Sequence, residues 1–436
     1  MAITIKEYLE RGPATSKEIQ SATGMSQSKV ARQLRGMGEE VIRLQDGRSL
    51  KYAMSRSAFG GSNKLPLSIV DAHGNTVLTA HIRPLLHGGF FVEPATGMPS
   101  LLLGENGDGL YDDLPYFLLD LSPQGFLGRQ IAEEMADQSL DFPPDPRQWN
   151  TDHIGRYLVS NGDDLSGNFK FGEQALLRVR RKALPTPDEE YPKLADSVMN
   201  GEIPGSSAGG EQPKFTAYSA HSHSHVIVKF SPPGKDKIAQ RWRDILLTEY
   251  HAIEAMHAED IPAAETRLIE RGDRLFLESQ RFDRSGEHGR LSMVSLQSID
   301  AEFSGVGSGW SQVVRRLYQN NLVSRQHVFD TVVLWCIGRL INNTDMHLGN
   351  LSFAIEGNVF RLLPVYDMCS MGFSPKRNGE LPDYSFIASE PKGVDTAELN
   401  YAKLIARDFW ERVINDKRVS VEFKAYLERG NPIDSM

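Results

Sequence analysis

Three side chains that could take part in phosphoryl transfer lie within six positions of one another. Asp345, His347 and Asn350 belong to the stretch 342–350, and another acid, Asp367, follows beyond a predicted hairpin. An aspartate can accept the proton of an attacking hydroxyl, while an asparagine and a second aspartate can hold Mg²⁺ through oxygen. The same residue types are common in turns and helix caps. This stretch alone therefore leaves a catalytic loop and an ordinary turn equally open.

A second candidate site lies at residues 205–215, with the sequence Gly-Ser-Ser-Ala-Gly-Gly-Glu-Gln-Pro-Lys-Phe. Glycines let backbone N–H groups turn toward an anion, and Lys214 can offset phosphate charge. The segment is not a Walker A loop, because Lys214 follows a proline and precedes a predicted strand instead of opening a helix. A glycine loop between strands favours a kinase-style cover over nucleotide phosphates. A flexible surface loop is the alternative.

The next elements could hold a nucleotide. The apolar strand 226–230 contains one lysine, Lys229, in the pattern of a strand lysine that contacts phosphates. A helix follows, and its Glu249 could orient Lys229 through an ion pair. Glu254 is a competing partner, and a solvent-facing glutamate is the simpler interpretation. The predicted strand 275–280 then runs into a connector that would occupy the hinge of a two-lobed kinase. The linear order of all these parts agrees with a phosphotransferase better than any one part does.

The first 57 residues differ from the rest in charge. They hold ten bases and six acids, a net +4, which leaves −13 for the remainder of a chain whose net charge is −9. Two short helices, a basic third helix and a hairpin are the order of a winged helix-turn-helix, and the segment resembles the DNA-binding heads of bacterial regulators. A three-helix protein-interaction module is the alternative. The predicted DNA contacts, on the third helix and the wing, are Gln27, Ser28, Lys29, Arg32, Gln33 and one or more of Arg43, Arg48 and Lys51.

At 436 residues the chain is too long for one compact core. We expect a head over 1–57, a linker at 56–63, an α+β subdomain over 64–205, a nucleotide lobe over 206–284 and a mainly helical catalytic lobe over 285–436. The two cysteines, Cys336 and Cys369, have no CxxC partner. This and the lack of a signal-like or membrane-spanning apolar stretch predict a reducing cytoplasm.

Four motifs resemble the HipA-like serine/threonine kinases of bacterial toxin–antitoxin systems. Residues 207–214 are similar to that family's S-x-x-G-x-Q-x-K loop, 280–284 to its E-R-F-D-R hinge, and 343–350 to its T-D-x-H-x-x-N loop, and Tyr366-Asp367 follows. The likeness covers roughly residues 60–430. It implies an α+β, two-lobed kinase-like body, with ATP and Mg²⁺ as cofactors and a protein substrate.

The resemblance also implies roles for single residues. Asp345 would be the catalytic base, Asn350 and Asp367 the magnesium ligands, and His347 a support of the loop. Gln280 stands where the family has glutamate, which could relax the preference for adenine. The implied nucleotide contacts are Ser207, Gly209, Gly210, Gln212, Lys214, Lys229, Gln280 and Phe282.

The family further implies that a loop serine, Ser207 or its neighbour Ser206, is autophosphorylated, which ejects the loop and switches the kinase off. Family members usually rely on a separate DNA-binding antitoxin, whereas a head is fused to this chain. We therefore expect a cytoplasmic bacterial Ser/Thr kinase of toxin type, with DNA, a protein substrate and an antitoxin as candidate partners. Two alternatives remain. One is a transcription regulator that senses nucleotide without phosphoryl transfer, and the other is a metal-dependent nuclease or phosphatase with Asp345, His347 and Asp367 as ligands.

Overall fold

The computed structural model describes residues 3–46, 49–139, 141–200, 212–376, 379–434 and 436. The head contains three helices and a three-stranded antiparallel sheet with the strand order β1-β3-β2. Capping boxes begin α1 and α2, and Gly24 ends α2 in the left-handed region, at φ +69°. The predicted order of helices and hairpin is present, with β1 as an additional strand. The elements are α1 (Ile5–Leu9), β1 (Ala14–Thr15), α2 (Ser16–Thr23), α3 (Gln27–Gly36), β2 (Val41–Asp46) and β3 (Ser49–Met54).

Residues 56–63, predicted as a linker, connect the head to the body and are packed against the body through Ala58 and Phe59. Phe59 is buried, and its ring stacks on Phe90 at a centroid distance of 5.7 Å and meets the edge of Phe171 at 5.9 Å. Glycine and serine in this segment suggested flexibility, but one aromatic side chain anchors it. The β2–β3 hairpin is also docked on the body, through a small apolar cluster that contains Ile42, Leu44, Ala53, Leu85 and Phe91.

The middle unit is built on a five-stranded antiparallel sheet with the order β7-β6-β5-β4-β8. Asn150 caps α6 by accepting hydrogen bonds from two backbone N–H groups, as its position in the sequence suggests. The elements are β4 (Leu65–Val70), β5 (Thr76–Pro84), β6 (Phe90–Pro94), β7 (Leu110–Tyr111), α4 (Tyr116–Leu119), α5 (Gly125–Gln138), α6 (Thr151–Asn161), β8 (Phe169–Phe171) and α7 (Glu173–Arg178).

The next unit carries a second five-stranded sheet, with the order β12-β13-β11-β10-β9. Tyr191, Ala195 and Val198 on α8 pack into the core beneath this sheet. The predicted boundary at residue 205 therefore separates two elements from this sheet, namely its edge strand β9 and the helix α8 that packs against it. The elements are β9 (Pro185–Thr186), α8 (Tyr191–Met199), β10 (Lys214–Ser219), β11 (His225–Phe230), α9 (Lys237–His257), β12 (Thr266–Arg271) and β13 (Arg274–Gln280).

The C-terminal unit is mainly helical. The hairpin predicted before Asp367 is present as β17–β18, and the helix α12, which precedes the loop at 342–350, is largely buried. No helix among the described residues is both long enough and apolar enough to cross a membrane. The elements are β14 (Arg284–Ser285), β15 (Gly289–Arg290), β16 (Val294–Ser295), α10 (Leu296–Phe303), α11 (Trp310–Gln319), α12 (Arg325–Leu340), β17 (Ser352–Glu356), β18 (Val359–Leu362), α13 (Thr396–Asn415) and α14 (Val421–Leu427).

The packing of Phe59 can be tested at Gly155 on α6. A Cβ atom at this position would lie 2.1 Å from a carbon of the Phe59 ring, so Gly155→Ala forces the buried ring to move. We expect it to lower the free energy of unfolding by about 1–3 kcal/mol, measured by urea denaturation. Gly36→Ala on α3 is the matched control, because a Cβ there meets no atom within 4 Å. Equal stability of the two variants would contradict the packing of residues 56–63.

Candidate active site

A buried lysine between two carboxylates lies at the centre of the site. Lys229 on β11 is 5 % exposed, and its Nζ lies 2.5 and 2.7 Å from the two carboxylate oxygens of Glu249 on α9. The same ammonium group donates to Oδ1 of Asp367, which follows the β17–β18 hairpin. We call these three residues the ion triad. The ion pair expected between the strand lysine and the helix glutamate is present.

Burial and charge act in opposite directions on the ion triad. Burial opposes the charged form of Lys229, but attraction to Asp367 and Glu249 outweighs it and raises the pKa of the ammonium group. Burial also opposes ionisation of Asp367, yet Lys229 and Lys214 hold the pKa of this carboxyl below its usual value. Burial raises the pKa of Glu249 despite its contact with Lys229. The triad thus keeps one cation and the Asp367 carboxylate charged in a site largely shielded from water.

Lys214 adds a second buried cation to the same place. It lies on β10 directly opposite Lys229 in the strand register, and it is 2 % exposed. Burial lowers the pKa of Lys214, and the charge of Lys229 lowers it further, whereas Asp367 acts in the opposite direction. Two lysines on adjacent strands therefore face the carboxylate of Asp367, which is an arrangement suited to holding a polyanion.

The loop after α12 is shaped by side-chain amides. Asn343 accepts a hydrogen bond from the backbone N–H of Asp345 at 3.0 Å and donates to the carbonyl oxygen of Asp367 at 3.3 Å. Asn350 is buried and donates to the carbonyl oxygen of Asp345 at 2.8 Å. These bonds fix the backbone on both sides of Asp345 and connect it to Asp367. The carboxylate of Asp345 stays open to solvent, with 46 % of its side chain exposed.

His347 has contacts that shape this loop. Its Nδ1 accepts a hydrogen bond from the N–H of Gly349 at 3.1 Å, and its carbonyl oxygen accepts one from Nε1 of Trp310 at 3.0 Å. Its Nε2 lies 3.8 Å from Oδ1 of Asp345, which is beyond hydrogen-bonding distance. The backbone is thus held by a buried tryptophan, while the imidazole remains next to the aspartate.

A cavity opens beside the ion triad and extends to the end of β13. Phe282 lies on its wall, and the centroid of its ring is 5.6 Å from that of Tyr366. The hydroxyl of Tyr366 forms a hydrogen bond with the hydroxyl of Ser352 at 2.8 Å. Asp345, His347 and Gln212 lie outside the wall. The predicted residues that the fold brings together around this one cavity are Lys214, Lys229, Gln280, Phe282, Asn350 and Asp367.

Some predicted positions cannot be placed in this geometry. Ser206, Ser207, Gly209 and Gly210 of the glycine loop, and Arg48 of the head, lie outside the described residues. Gln212 is partly buried, and its side-chain nitrogen has no hydrogen-bond acceptor in the part of the chain that the structure describes. On the head, the five α3 residues predicted to contact DNA are all exposed, namely Gln27, Ser28, Lys29, Arg32 and Gln33.

The middle unit contributes to the cavity in a way that the sequence did not indicate. Its loops supply part of the wall, and the polar members are Asp120, Ser122, Gln124 and Ser166. Asp120 is itself occupied, because it accepts hydrogen bonds from the backbone N–H and hydroxyl of Ser295 and from the hydroxyl of Ser298. A ligand in this cavity would therefore touch two units of the protein.

The charged residues of the motif at 280–284 hold the loop at 164–167 of the middle unit in place. Arg281 donates to both oxygens of Asp283, at 3.0 and 2.9 Å, and Asp283 also accepts from Arg284 and from the N–H of Gly167 at 2.9 Å. Arg284 reaches Asp164 at 2.8 Å. Burial opposes ionisation of Asp283, but the two arginines hold its pKa far below the usual value. The sequence predicts a hinge at this motif, and its charged residues also join the middle unit to the wall of the cavity.

Among the described residues, no three or more His, Cys, Asp or Glu side chains are grouped so that they could hold a metal ion. The two predicted magnesium ligands, Asn350 and Asp367, both border the cavity.

The comparisons with known proteins agree with this geometry. Residues 61–180 match the family described as YjjJ-like toxin, middle domain, and residues 206–417 match the HipA-like C-terminal domain. Toxin YjjJ of Escherichia coli (strain K12) is 35 % identical over 430 residues, which cover 96 % of this chain and 94 % of that protein. The chain belongs to the HipA-like toxin family. The family suggested by the sequence motifs is thereby confirmed.

The HipA-like fold is also found in a solved structure. The complex of Shewanella oneidensis MR-1 HipA, HipB and operator DNA contains a chain with a TM-score of 0.56 and 16 % identity to this one. The likeness covers 85 % of this chain and 98 % of that chain. Because the sequence identity is 16 %, this structural likeness shows the fold alone. The protein is α+β with a two-lobed, kinase-like body, as the sequence predicted.

The ion triad of this HipA-like toxin predicts a large effect of Lys229→Met. The variant leaves Glu249 and Asp367 buried without their shared cation, so we expect the free energy of unfolding to fall by about 3–5 kcal/mol in urea denaturation. Lys235→Met is the matched control, because Lys235 is exposed, and its effect should stay within about 0.5 kcal/mol. Two variants of equal stability would show that the triad does not hold the lobe together.

Proposed function

We propose that this HipA-like toxin is an ATP- and magnesium-dependent protein serine/threonine kinase. The observation that carries the proposal is the ion triad, since a strand lysine paired with a helix glutamate beside a cavity is the arrangement that kinases use to position phosphates. The cavity is also lined by Gln280 and Phe282, which supports a nucleotide as its ligand.

The residues present suit Mg²⁺. The nitrogen of the Asn350 side chain is engaged with the carbonyl of Asp345, which directs the amide oxygen to other partners. Together with the carboxylate of Asp367 it offers the one or two protein oxygens that Mg²⁺ takes when phosphates supply further ligands. When bound, Mg²⁺ would neutralise charge on the phosphates. Lys229, held by Glu249, and Lys214 would add to that stabilisation.

Asp345 is the proposed catalytic base. Its carboxylate is about half exposed, so the hydroxyl of another protein can approach it, and Asn343 and Asn350 fix its backbone. It would accept the proton of that hydroxyl as the phosphoryl group is transferred. The loop serines, Ser206 and Ser207, are the proposed sites of autophosphorylation that switches the kinase off. Support for this last step is the sequence motif alone.

We further propose that the head is a winged helix-turn-helix that binds DNA. The order of its elements and the exposed, basic α3 support this. The Shewanella protein was solved with HipB and operator DNA, and a separate antitoxin is a candidate partner here as well. The proposed place of action is the cytoplasm.

Replacing Asp345 tests the kinase proposal directly. Asp345→Asn keeps the shape of an exposed side chain, so the thermal unfolding midpoint should not change, whereas phosphate transfer from γ-labelled ATP should fall by about 10²-fold or more. Asp383→Asn, an exposed aspartate of the same unit, should retain full labelling. Mass spectrometry of the labelled wild type then shows whether Ser206 or Ser207 carries phosphate. Undiminished labelling of Asp345→Asn would refute the role of this residue, and ATP binding without transfer in the wild type would favour a nucleotide-sensing regulator.

The head is tested with a pair of charge reversals. Lys29→Glu with Arg32→Glu should weaken binding of a labelled DNA duplex and should reduce the dependence of the affinity on salt, because fewer counterions are released from the phosphates. The matched control is Arg325→Glu with Lys417→Glu, which makes the same change of charge at exposed positions of the C-terminal unit. Fluorescence anisotropy at several salt concentrations measures both. Equal salt dependence in the two variants would argue against DNA binding by α3.

A further inference from the structure

A second cavity, of about 380 Å³, lies between the middle unit and the sheet of the nucleotide lobe. We call it the rear cavity. Its wall is formed by α5 and α6, by the chain after α7, and by His225 and Arg290 from the other side. Leu165 lines both the rear cavity and the candidate active site. None of the motifs found in the sequence accounts for the rear cavity.

Basic side chains converge on the rear cavity. Arg290 is 5 % exposed, and its Nε has no hydrogen-bond acceptor among the described residues. The guanidinium donates one hydrogen bond, from Nη1 to the carbonyl oxygen of Gly289 at 3.2 Å. Its Nη2 lies 3.8 Å from Oδ1 of Asp164. Arg181 and Lys182 stand on the rim, exposed and without an ion pair in the described part of the chain.

The acids on the same wall are already engaged. The carboxylate of Asp164 is shared with Arg284 at 2.8 Å, and that of Glu287 accepts the backbone N–H of Ala183 at 2.8 Å. His225 does not add charge, because burial lowers its pKa to about 4, and its Nε2–H donates to a backbone carbonyl. Two further acids lie on this wall. Asp163 forms an ion pair with Arg178 at 3.0 Å, and Glu134 accepts a hydrogen bond from the side-chain amide of Gln138 at 3.0 Å.

Behind the wall, buried cations outnumber buried acids. Lys170 is fully buried, and its Nζ has no hydrogen-bond acceptor among the described residues. Burial lowers the pKa of Lys170 to about 7, and repulsion from Arg284 and Arg290 contributes. Burial and repulsion from Arg284 also lower the pKa of Arg290, to about 10. A negative charge placed in the rear cavity would relieve this repulsion.

We propose that the rear cavity binds the phosphate group of a small phosphorylated molecule. Guanidinium groups bind phosphate through paired, charge-assisted hydrogen bonds. Arg290 lines the cavity, and its Nη2, 3.8 Å from Asp164, makes no hydrogen bond with the described residues, so it is the donor for this contact. Arg181 and Lys182 close the rim around the ligand. The volume of the cavity exceeds that of inorganic phosphate, so an organic portion fits as well. This site is separate from the one proposed for ATP and does not depend on phosphoryl transfer.

Pyrophosphate is the probe, and isothermal titration calorimetry at constant ionic strength measures its affinity. Arg181→Glu with Lys182→Glu should weaken binding by about tenfold or more, because it removes charge-assisted contacts and adds repulsion. The matched control is Arg180→Glu with Lys193→Glu, which reverses two exposed charges outside the cavity wall and should change the affinity by less than about twofold. All four positions are exposed, so folding should be preserved. Equal affinities of the two double variants would overturn the proposal.

A second measurement separates the rear cavity from the candidate active site, where pyrophosphate could also bind. Crystals of the full chain are soaked in tungstate, a tetrahedral oxyanion like phosphate, and the metal is located by anomalous scattering. A peak against Arg290 and the rim residues supports the proposal. Peaks confined to the neighbourhood of Lys229 and Lys214, or no peak in the rear cavity at all, would overturn it.

Discussion

The buried contact of Lys229 with Glu249 and Asp367 is the interaction on which the rest of the kinase-like body depends. The three side chains come from a strand, a helix and the segment after a hairpin, so their meeting requires the sheet, α9 and the β17–β18 hairpin all to be in place. Taking charges out of water is costly unless the geometry of the pair is good. Asp367 accordingly adopts φ +54°, an unusual value for a residue other than glycine, and such a conformation persists only where the surrounding structure enforces it.

A second network of charges decides how the cavity is closed. Asp283 is held between Arg281 and Arg284 and binds the backbone of the loop at Gly167, so the middle unit is fixed against the site by buried, paired charges. Because Arg284 also binds Asp164, the same loop is fixed at both ends. The middle unit therefore forms part of the wall of the cavity and is also bound to the kinase-like body by these ion pairs.

The sequence predicted what depends on local pattern and chain order. The pairing of Lys229 with Glu249 follows from a strand lysine followed by a helix glutamate, and the β17–β18 hairpin was predicted before Asp367. It did not predict contacts between distant segments. Arg284 and Asp164 are 120 residues apart and carry no periodic signal, and a strand as short as β9 has none either. In residues 56–63 the composition suggested flexibility, since nothing local shows that Phe59 has a core to enter.

The docking of the head limits how the two ends of the protein can act on each other. One face of the β2–β3 hairpin belongs to the core of the head, while Ile42 and Leu44 on the other face pack on the body. Arg83 of β5 strengthens this junction by donating to the carbonyl of Glu39 at 2.5 Å. A head tethered by a flexible linker could bind DNA in any orientation relative to the kinase-like body. A head packed in this way cannot, so DNA bound by α3, as proposed above, would hold the cavity and the loop at 342–350 in one fixed orientation to the duplex.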